Sequence, residues 1–478
     1  MKSKKGPLWG TRAQLICFVC LLVCQGCALR TSTRNGLEGR ISILLDMIST
    51  GGEEVSITVE GITLTGGQNK GDITVPMREQ FMITGSSHQV LLGDFSVPPD
   101  RYTGLTLAIG EVFLFMNGSL VPLQLANNHI GFDIDMDIGP WERKSLPVSI
   151  ACTVEGDGEE RGLALHSSVK KGRELLGLRG LKAYVTDEAG NSVVILDRFS
   201  GATLGVISVG GKPRGIVIHP DGTRVYIANS GSDSISVLDT LTSEIIDTIF
   251  LGLGVAPEGM AMTPDGGLLI TTNKGSDNVS VIDPDSRRVI EHIPVGLSPS
   301  RVAVSPWGDW AYVTNTRSDT LTFIDLTVRR ITATVTMRPG PVGLASSPDG
   351  DGIYVACRGS DVLQVVDAHL KRVIHALPTN GGPIDVVLDH KRGRIYVADS
   401  LSNDVCVLIE SMNMKEGCIP VGESPNAMAL DDARRLLYVV NRGDGTVSVI
   451  DLGSQRIVNT IRVGSSPWGI ALDGFGRD

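Results

Sequence analysis

From residue 181 onward the chain is a succession of short runs in which apolar and polar residues alternate, separated by turn formers. In Ser234-Ile-Ser-Val-Leu-Asp239 polar and apolar side chains alternate from Ser234 to Val237, which predicts a strand with one face packed on a neighbour. From Tyr312 the chain reads Tyr-Val-Thr-Asn, then Thr-Leu-Thr-Phe-Ile-Asp, then Ile-Thr-Ala-Thr-Val-Thr, then Pro-Val-Gly-Leu-Ala-Ser, four β-branched stretches closed by turn residues. The unit recurs. A proline marks it at Pro213, Pro257, Pro299, Pro341, Pro383, Pro425 and Pro467, with a first interval of 44 residues and intervals of 42 thereafter. Asp197, Asp239, Asp283, Asp325, Asp367, Ile409 and Asp451 keep the same register. A four-stranded sheet cannot bury its faces alone, so units of this period are expected to stack around an axis. The array opens on Leu181-Lys-Ala-Tyr184, without an inner strand, and ends on a spare one, Pro467-Trp-Gly-Ile-Ala-Leu472. The two are expected to meet in one composite blade, giving an all-β, seven-bladed ring without a free sheet edge.

Turn chemistry accounts for most of the recurring polar residues. Asp197 with Ser200, Asp239 with Thr242, Asp283 with Ser286 and Asp451 with Ser454 place a short carboxylate where it can accept hydrogen bonds from the amides of the following turn. These aspartates read as turn formers, not as catalysts. Pro220-Asp-Gly222, Pro264-Asp-Gly266 and Pro348-Asp-Gly350 are turns of the same local kind. The glycine two residues after the repeat proline, as in Pro213-Arg-Gly215, removes bulk where inner strands crowd the axis. Ile384-Asp385 and Asn426-Ala427 lack it.

Tyr226-Ile-Ala-Asn229, Tyr312-Val-Thr-Asn315 and Tyr438-Val-Val-Asn441, each followed by Ser-Val-Ile-Asp or a variant, resemble the YVTN-type β-propeller repeats of bacterial surface and periplasmic proteins. The resemblance spans residues 181–473. Ile270-Thr-Thr-Asn273, Cys357 and Asp399 in the Asn position, and Ile409 in the Asp position, depart from it.

Residues 38–152 form a separate β region. Ile41-Ser-Ile-Leu-Leu-Asp46, Val55-Ser-Ile-Thr-Val-Glu60, Tyr102 to Ile109 and Val112 to Met116 alternate as half-buried strands, and Asn117-Gly118 is a strong hairpin turn. A β-sandwich is expected. The run Val97-Pro-Pro-Asp-Arg-Tyr-Thr-Gly104 with its hairpin resembles an uncharacterised prealbumin-like domain of bacterial lipoproteins. Residues 153–180 read as an exposed connector. At the amino terminus Lys2, Lys4, Lys5 and Arg12 precede an apolar stretch from Leu15 to Val23, too short to span a bilayer and suited to a secretory signal over residues 1–26. Cys24-Gln-Gly-Cys27 resembles a lipobox, which implies lipidation of Cys27 and a place at the outer membrane or cell surface; without lipid the chain would be periplasmic.

In that compartment Cys406 and Cys418, on adjacent strands of one hairpin, are expected to form a disulfide, while Cys152 and Cys357 read as buried thiols. The chain carries a formal charge of -10, which becomes -14 once Lys2, Lys4, Lys5 and Arg12 leave with the signal. Some periplasmic relatives implied by the resemblance bind single-stranded DNA, but so acidic a balance disfavours a phosphate backbone. Arg287-Arg288 and Arg329-Arg330 read as solvated turn pairs.

No catalytic, metal or cofactor constellation emerges from the sequence. The eight histidines are scattered, and Asp133, Asp135 and Asp137 alternate with Phe132, Ile134 and Met136 as one solvated strand face. Propellers bind at the mouth of the central channel, where the residues after the repeat prolines should gather: Arg214, Glu258, Ser300, Val342, Ile384, Asn426 and Trp468. Arg214 and Glu258 are expected to pair, and Trp468 beside Asn426 offers a stacking plane next to an amide, suited to sugars or peptides. The two-residue insertion in Leu251-Gly-Leu-Gly-Val-Ala-Pro257 is a candidate recognition loop on that rim. The favoured reading is a non-catalytic, membrane-tethered binding or scaffold module for a protein, peptide or glycan. The alternative is an envelope enzyme of the propeller type, a lyase or cofactor-dependent dehydrogenase, supported by fold analogy alone.

Overall fold

The computed structural model describes residues 39–49, 54–66, 72–83, 88–116, 119–125, 127–138, 143–155, 162–169 and 181–473. The signal segment, Cys27, and the side chain of Cys152 lie outside the described residues. Among the described residues the structure is all-β apart from two single turns of 3-10 helix, His390–Arg392 and Glu410–Met412, and no helix is long and apolar enough to cross a membrane.

Between Lys182 and Leu472 the chain builds four-stranded antiparallel sheets, seven among the described residues, consistent with a propeller. One consists of Pro299–Val304, Trp310–Asn315, Thr320–Asp325 and Arg330–Thr336, in that order across the sheet. Its two middle strands are buried on both faces because sheets stack above and below them, whereas Arg330–Thr336 is exposed along most of its length. The sheet that opens the array takes Lys182–Asp187, Ser192–Asp197 and Thr203–Ser208 from its own region and Pro467–Leu472 from the end of the chain. Ala183, Tyr184 and Val185 pair with Leu472, Ala471 and Ile470. An ion cluster seals this seam: Arg198, nearly buried, lies 2.5 Å from Asp431 and 3.2 Å from Asp473, and Lys182 donates its backbone N–H to the Asp473 carboxylate (2.7 Å).

The repeating Asn acquires a physical reason. The Asn229 amide donates to Ser234 Oγ (3.2 Å) and Ser236 Oγ (2.9 Å) on the next strand, and Asn441 does the same to Thr446 and Ser448 (3.0 and 2.9 Å). Both amides are fully buried, so the Ser and Thr at these positions supply acceptors that water cannot. The aspartates read as turn formers make the expected contacts. The Asp239 carboxylate accepts the N–H groups of Leu241 and Thr242 (2.9 and 2.8 Å), and Asp325 those of Thr327 and Val328 (2.9 and 3.2 Å). At Ile409, which has no such acceptor, the turn closes instead as the 3-10 segment Glu410–Met412.

The amino-terminal region holds two five-stranded sheets that share one hydrophobic core, with Ile41, Ile43 and Leu45 of one packed in the same cluster as Val55, Ile57 and Leu107 of the other. Two expectations need correction. Gly162–Val169, read as connector, is a strand pairing antiparallel with Arg143–Glu155, because Leu163 and Leu165 continue the alternation. The stretches Tyr102–Ile109 and Val112–Met116 are one strand, Asp100–Met116, running through Gly110-Glu111. Asp133, Asp135 and Asp137 are exposed, and Arg101 holds Asp135 through two hydrogen bonds (2.7 and 2.8 Å).

Asp187, Cys357 and Asp399 stand where the other sheets have the ladder Asn, and the sheet of Asp399 departs furthest. Asp399 replaces the Asn, Asp404 stands at the position of Ser234, and Cys406, at that of Ser236, is joined to Cys418 by a disulfide. Asp399 is fully buried; it accepts the Asn380 N–H (3.0 Å), and burial pushes its carboxyl up to about 6. A carboxyl raised in the folded state stabilises most below its unfolded value and loses that contribution as pH rises through about 6. Asp399→Asn keeps an oxygen for the Asn380 N–H and gains an amide facing Asp404, so at neutral pH it should stabilise the fold by up to about 3 kcal/mol, given a rise from 3.8 to about 6 and roughly 1.4 kcal/mol per pKa unit. Urea unfolding of both proteins between about pH 4 and pH 7 checks this; the stability difference should vanish at the acid end.

Candidate functional site at the channel mouth

Inner strands of successive sheets approach so closely that a side chain is excluded at one position. A Cβ on Gly215 would sit 2.4 Å from the Glu258 carbonyl, on Gly259 2.4 Å from that of Ser300, on Gly343 2.5 Å from that of Ile384, and on Gly469 2.6 Å from that of Arg214. Each of those carbonyls belongs to the residue after a repeat proline, so that residue is held at a fixed place. The strands carrying Asp385 and Ala427 accommodate a Cβ by resuming their pairing one residue earlier, with Asp385 opposite Ala398 and Ala427 opposite Val440.

Arg214, Glu258, Ser300, Val342, Ile384, Asn426 and Trp468 all line a single cavity of about 530 Å3. Arg214 bridges Glu258 (2.7 Å) and Glu188 (2.9 Å). Burial alone would lower its pKa, and the two carboxylates hold it raised instead. Glu258 also takes Lys274 (2.9 Å) and the Ser300 hydroxyl (3.0 Å), and Glu188 takes Arg442 (2.5 Å). Every oxygen of these glutamates is therefore committed to a cation or donor.

The expected Trp468 and Asn426 platform is not free. The Asn426 amide donates to the Trp468 carbonyl (2.6 Å), both residues are buried, and the Arg301 guanidinium lies 3.9 Å from the Trp468 ring centroid. The stacking plane is thus already covered by a cation. The insertion at Leu251–Pro257 does not line the cavity: Leu251 and Val255 are buried, Asp233 accepts the N–H groups of Gly254 and Ala256 (2.8 Å each), and Leu253 points outward, 89% exposed. Cys357 is a buried thiol that burial pushes up to about 12.

The cavity is also lined by residues the repeat prolines do not mark, among them Arg301, Lys274, Thr316, Arg358, Arg442 and Leu401. Arg301 occupies the position that is glycine in four other units, and its departure from Pro-x-Gly was the available signal. Its guanidinium reaches the Asn426 carbonyl (3.3 Å), and burial lowers its pKa against the opposing influence of Asp385 and Glu258. Asp385, itself raised by burial, accepts the Met428 N–H (2.8 Å). Lys274, Thr316, Arg358 and Arg442 each follow the residue in the Asn position, so a second register, one step past that marker, also converges on the mouth.

The family described as YNCE-like beta-propeller matches residues 181–476. No curated protein matches the chain. A functionally unknown protein from Desulfotomaculum acetoxidans DSM 771 is 15% identical, with a TM-score of 0.55 over 61% of this chain and 99% of that one. Kuenenia stuttgartiensis hydrazine synthase is 23% identical, covering 54% of this chain and 88% of that one at a TM-score of 0.49. Dihydro-heme d1 dehydrogenase NirN in complex with DHE is 14% identical, covering 61% and 74% at 0.46. Of the three, only the first bears on this chain, and it speaks to the fold alone. With most of the chain matched, from the first strand of the array to beyond its last, this protein belongs to the YNCE-like β-propeller family.

Proposed function

We propose that the chain is a non-catalytic binding module of the cell envelope. In this reading the seven sheets close into a ring through the pairing of Pro467–Leu472 with Lys182–Asp187, the two amino-terminal sheets act as a sandwich-type spacer, and lipid on Cys27 tethers the protein to a membrane. The channel mouth faces a protein, peptide or glycan partner. The observation that carries the reading is the convergence of residues from all seven sheets on one cavity whose carboxylate, Glu258, is locked by Arg214, Lys274 and Ser300. A general base needs a carboxylate oxygen within hydrogen-bond reach of substrate, and both oxygens of Glu258 are already taken by donors of the protein. The same contacts suit a rigid, preorganised recognition surface.

Native mass spectrometry of the full chain isolated from envelope membranes should reveal a stoichiometric ligand, recovered chemically unchanged after incubation; conversion of that ligand to a new species would make the protein an enzyme. Replacing Cys27 by Ser should move the protein from the membrane to the soluble fraction, and persistence in the membrane would exclude the lipid tether. Deleting residues 465–478 should lower the melting temperature and promote aggregation by exposing the edge of Lys182–Asp187. An unchanged melting temperature would rule out closure through that strand.

A further inference from the structure

The charge of the mouth is opposite to that of the protein. The chain carries -10 overall, yet the cavity is lined by five basic side chains, Arg214, Lys274, Arg301, Arg358 and Arg442, against one carboxylate, Glu258. Glu258 and the neighbouring Glu188 engage Arg214, Lys274 and Arg442. Among the described residues, Arg301 and Arg358 have no carboxylate within ion-pair distance, although Asp385 and Glu258 act on Arg301 from further away. Arg301 makes one side-chain hydrogen bond, to the Asn426 carbonyl, and rests on Trp468, so most of its five donors lack a protein acceptor. A guanidinium in a sheltered cavity with unfilled donors binds oxyanions through short, charge-assisted hydrogen bonds. The adjoining arc of the same cavity is apolar, formed by Val342, Ile384 and Leu401, and Leu401 is 68% exposed although it is a large aliphatic residue. A volume near 530 Å3 falls within the usual range for small-molecule sites.

We infer that the mouth takes an amphiphilic organic oxyanion, its carboxylate or phosphate on Arg301 and Arg358 and its apolar body against Val342, Ile384 and Leu401. This rests on the reading of the mouth as a binding site and specifies what binds there. The two halves of the cavity explain each other: the cations fix the head group, and the aliphatic arc excludes ions that have no apolar part. Arg301 is the specificity element, since Arg214 and Lys274 are held in direct ion pairs with Glu258, whereas Asp385 acts on Arg301 without a direct contact and leaves most of its donors unfilled.

The test is calorimetric titration of the full chain with octanoate, octyl phosphate, octanol and an oligothymidylate. One of the two anions should bind at a single site, the tighter of them identifying the head group, and octanol at least about tenfold more weakly, a factor equal to roughly 1.4 kcal/mol. Arg301→Gly, which installs the residue found at Gly215, Gly259, Gly343 and Gly469, should lose about tenfold or more in anion affinity with its melting temperature retained. Arg301→Lys, which keeps the charge without the fork, should lose less. Equal binding of octanol and octanoate, or full affinity in both Arg301 variants, would overturn the inference. Preferential binding of the oligothymidylate with a steep salt dependence would replace it with a nucleic-acid surface. If neither anion binds while an endogenous ligand still co-purifies, this ligand class is wrong and the binding reading stands; if no endogenous ligand is found but octanoate or octyl phosphate binds through Arg301, the chemistry of the mouth is upheld independently.

Discussion

The architecture depends on the approach of each inner strand to the next. Where Gly215, Gly259, Gly343 and Gly469 abut the carbonyls of Glu258, Ser300, Ile384 and Arg214, there is no room for a Cβ, and the neighbouring strands are in direct backbone contact. Threonine hydroxyls reinforce the same contacts: Thr186 donates to the Arg214 carbonyl (2.8 Å), Thr272 to that of Ser300 (2.9 Å) and Thr314 to that of Val342 (2.6 Å). The carbonyls that receive these contacts belong to the residues that form the mouth. A packing constraint on the backbone therefore sets the geometry of the site.

Further out, buried polar side chains link neighbouring strands within four of the sheets, through Asn229, Asn273, Asn315 and Asn441. The Asn229 and Asn315 ladders place the amide NH2 group between two hydroxyls in a region closed to water, which satisfies the donors and leaves the buried amide oxygens without a protein donor. In the blade of Asp399 three ladder positions changed together, to Asp399, Asp404 and Cys406, and the Cys406–Cys418 bond links the strands where the neutral ladder is lost. The cost appears as a carboxyl held partly protonated near neutral pH by its dry surroundings.

Net charge proved a poor guide to the site because it averages over the whole surface. The acidic side chains are spread among hairpin turns, where Asp239, Asp283 and Asp325 accept backbone amides, and they say nothing about the channel. The local field at the mouth comes from a handful of residues that the repeat register brings together.

From the sequence alone came the all-β class, the period, the extent of the array and the residues after each proline, because strand alternation and turn chemistry are local and a strict repeat converts register into spatial position. Tertiary structure alone decided which of those residues are available. Trp468 looked like an open platform until Arg301, from a strand more than a hundred residues away in the chain, was found lying over it. The same long-range packing brought Glu188, Lys274 and Arg442 to the rim, and it decided that Gly162–Val169 belongs to a sheet. Pairings of this kind depend on which side chains meet across an axis, and a linear pattern records only what each strand does with its immediate neighbours.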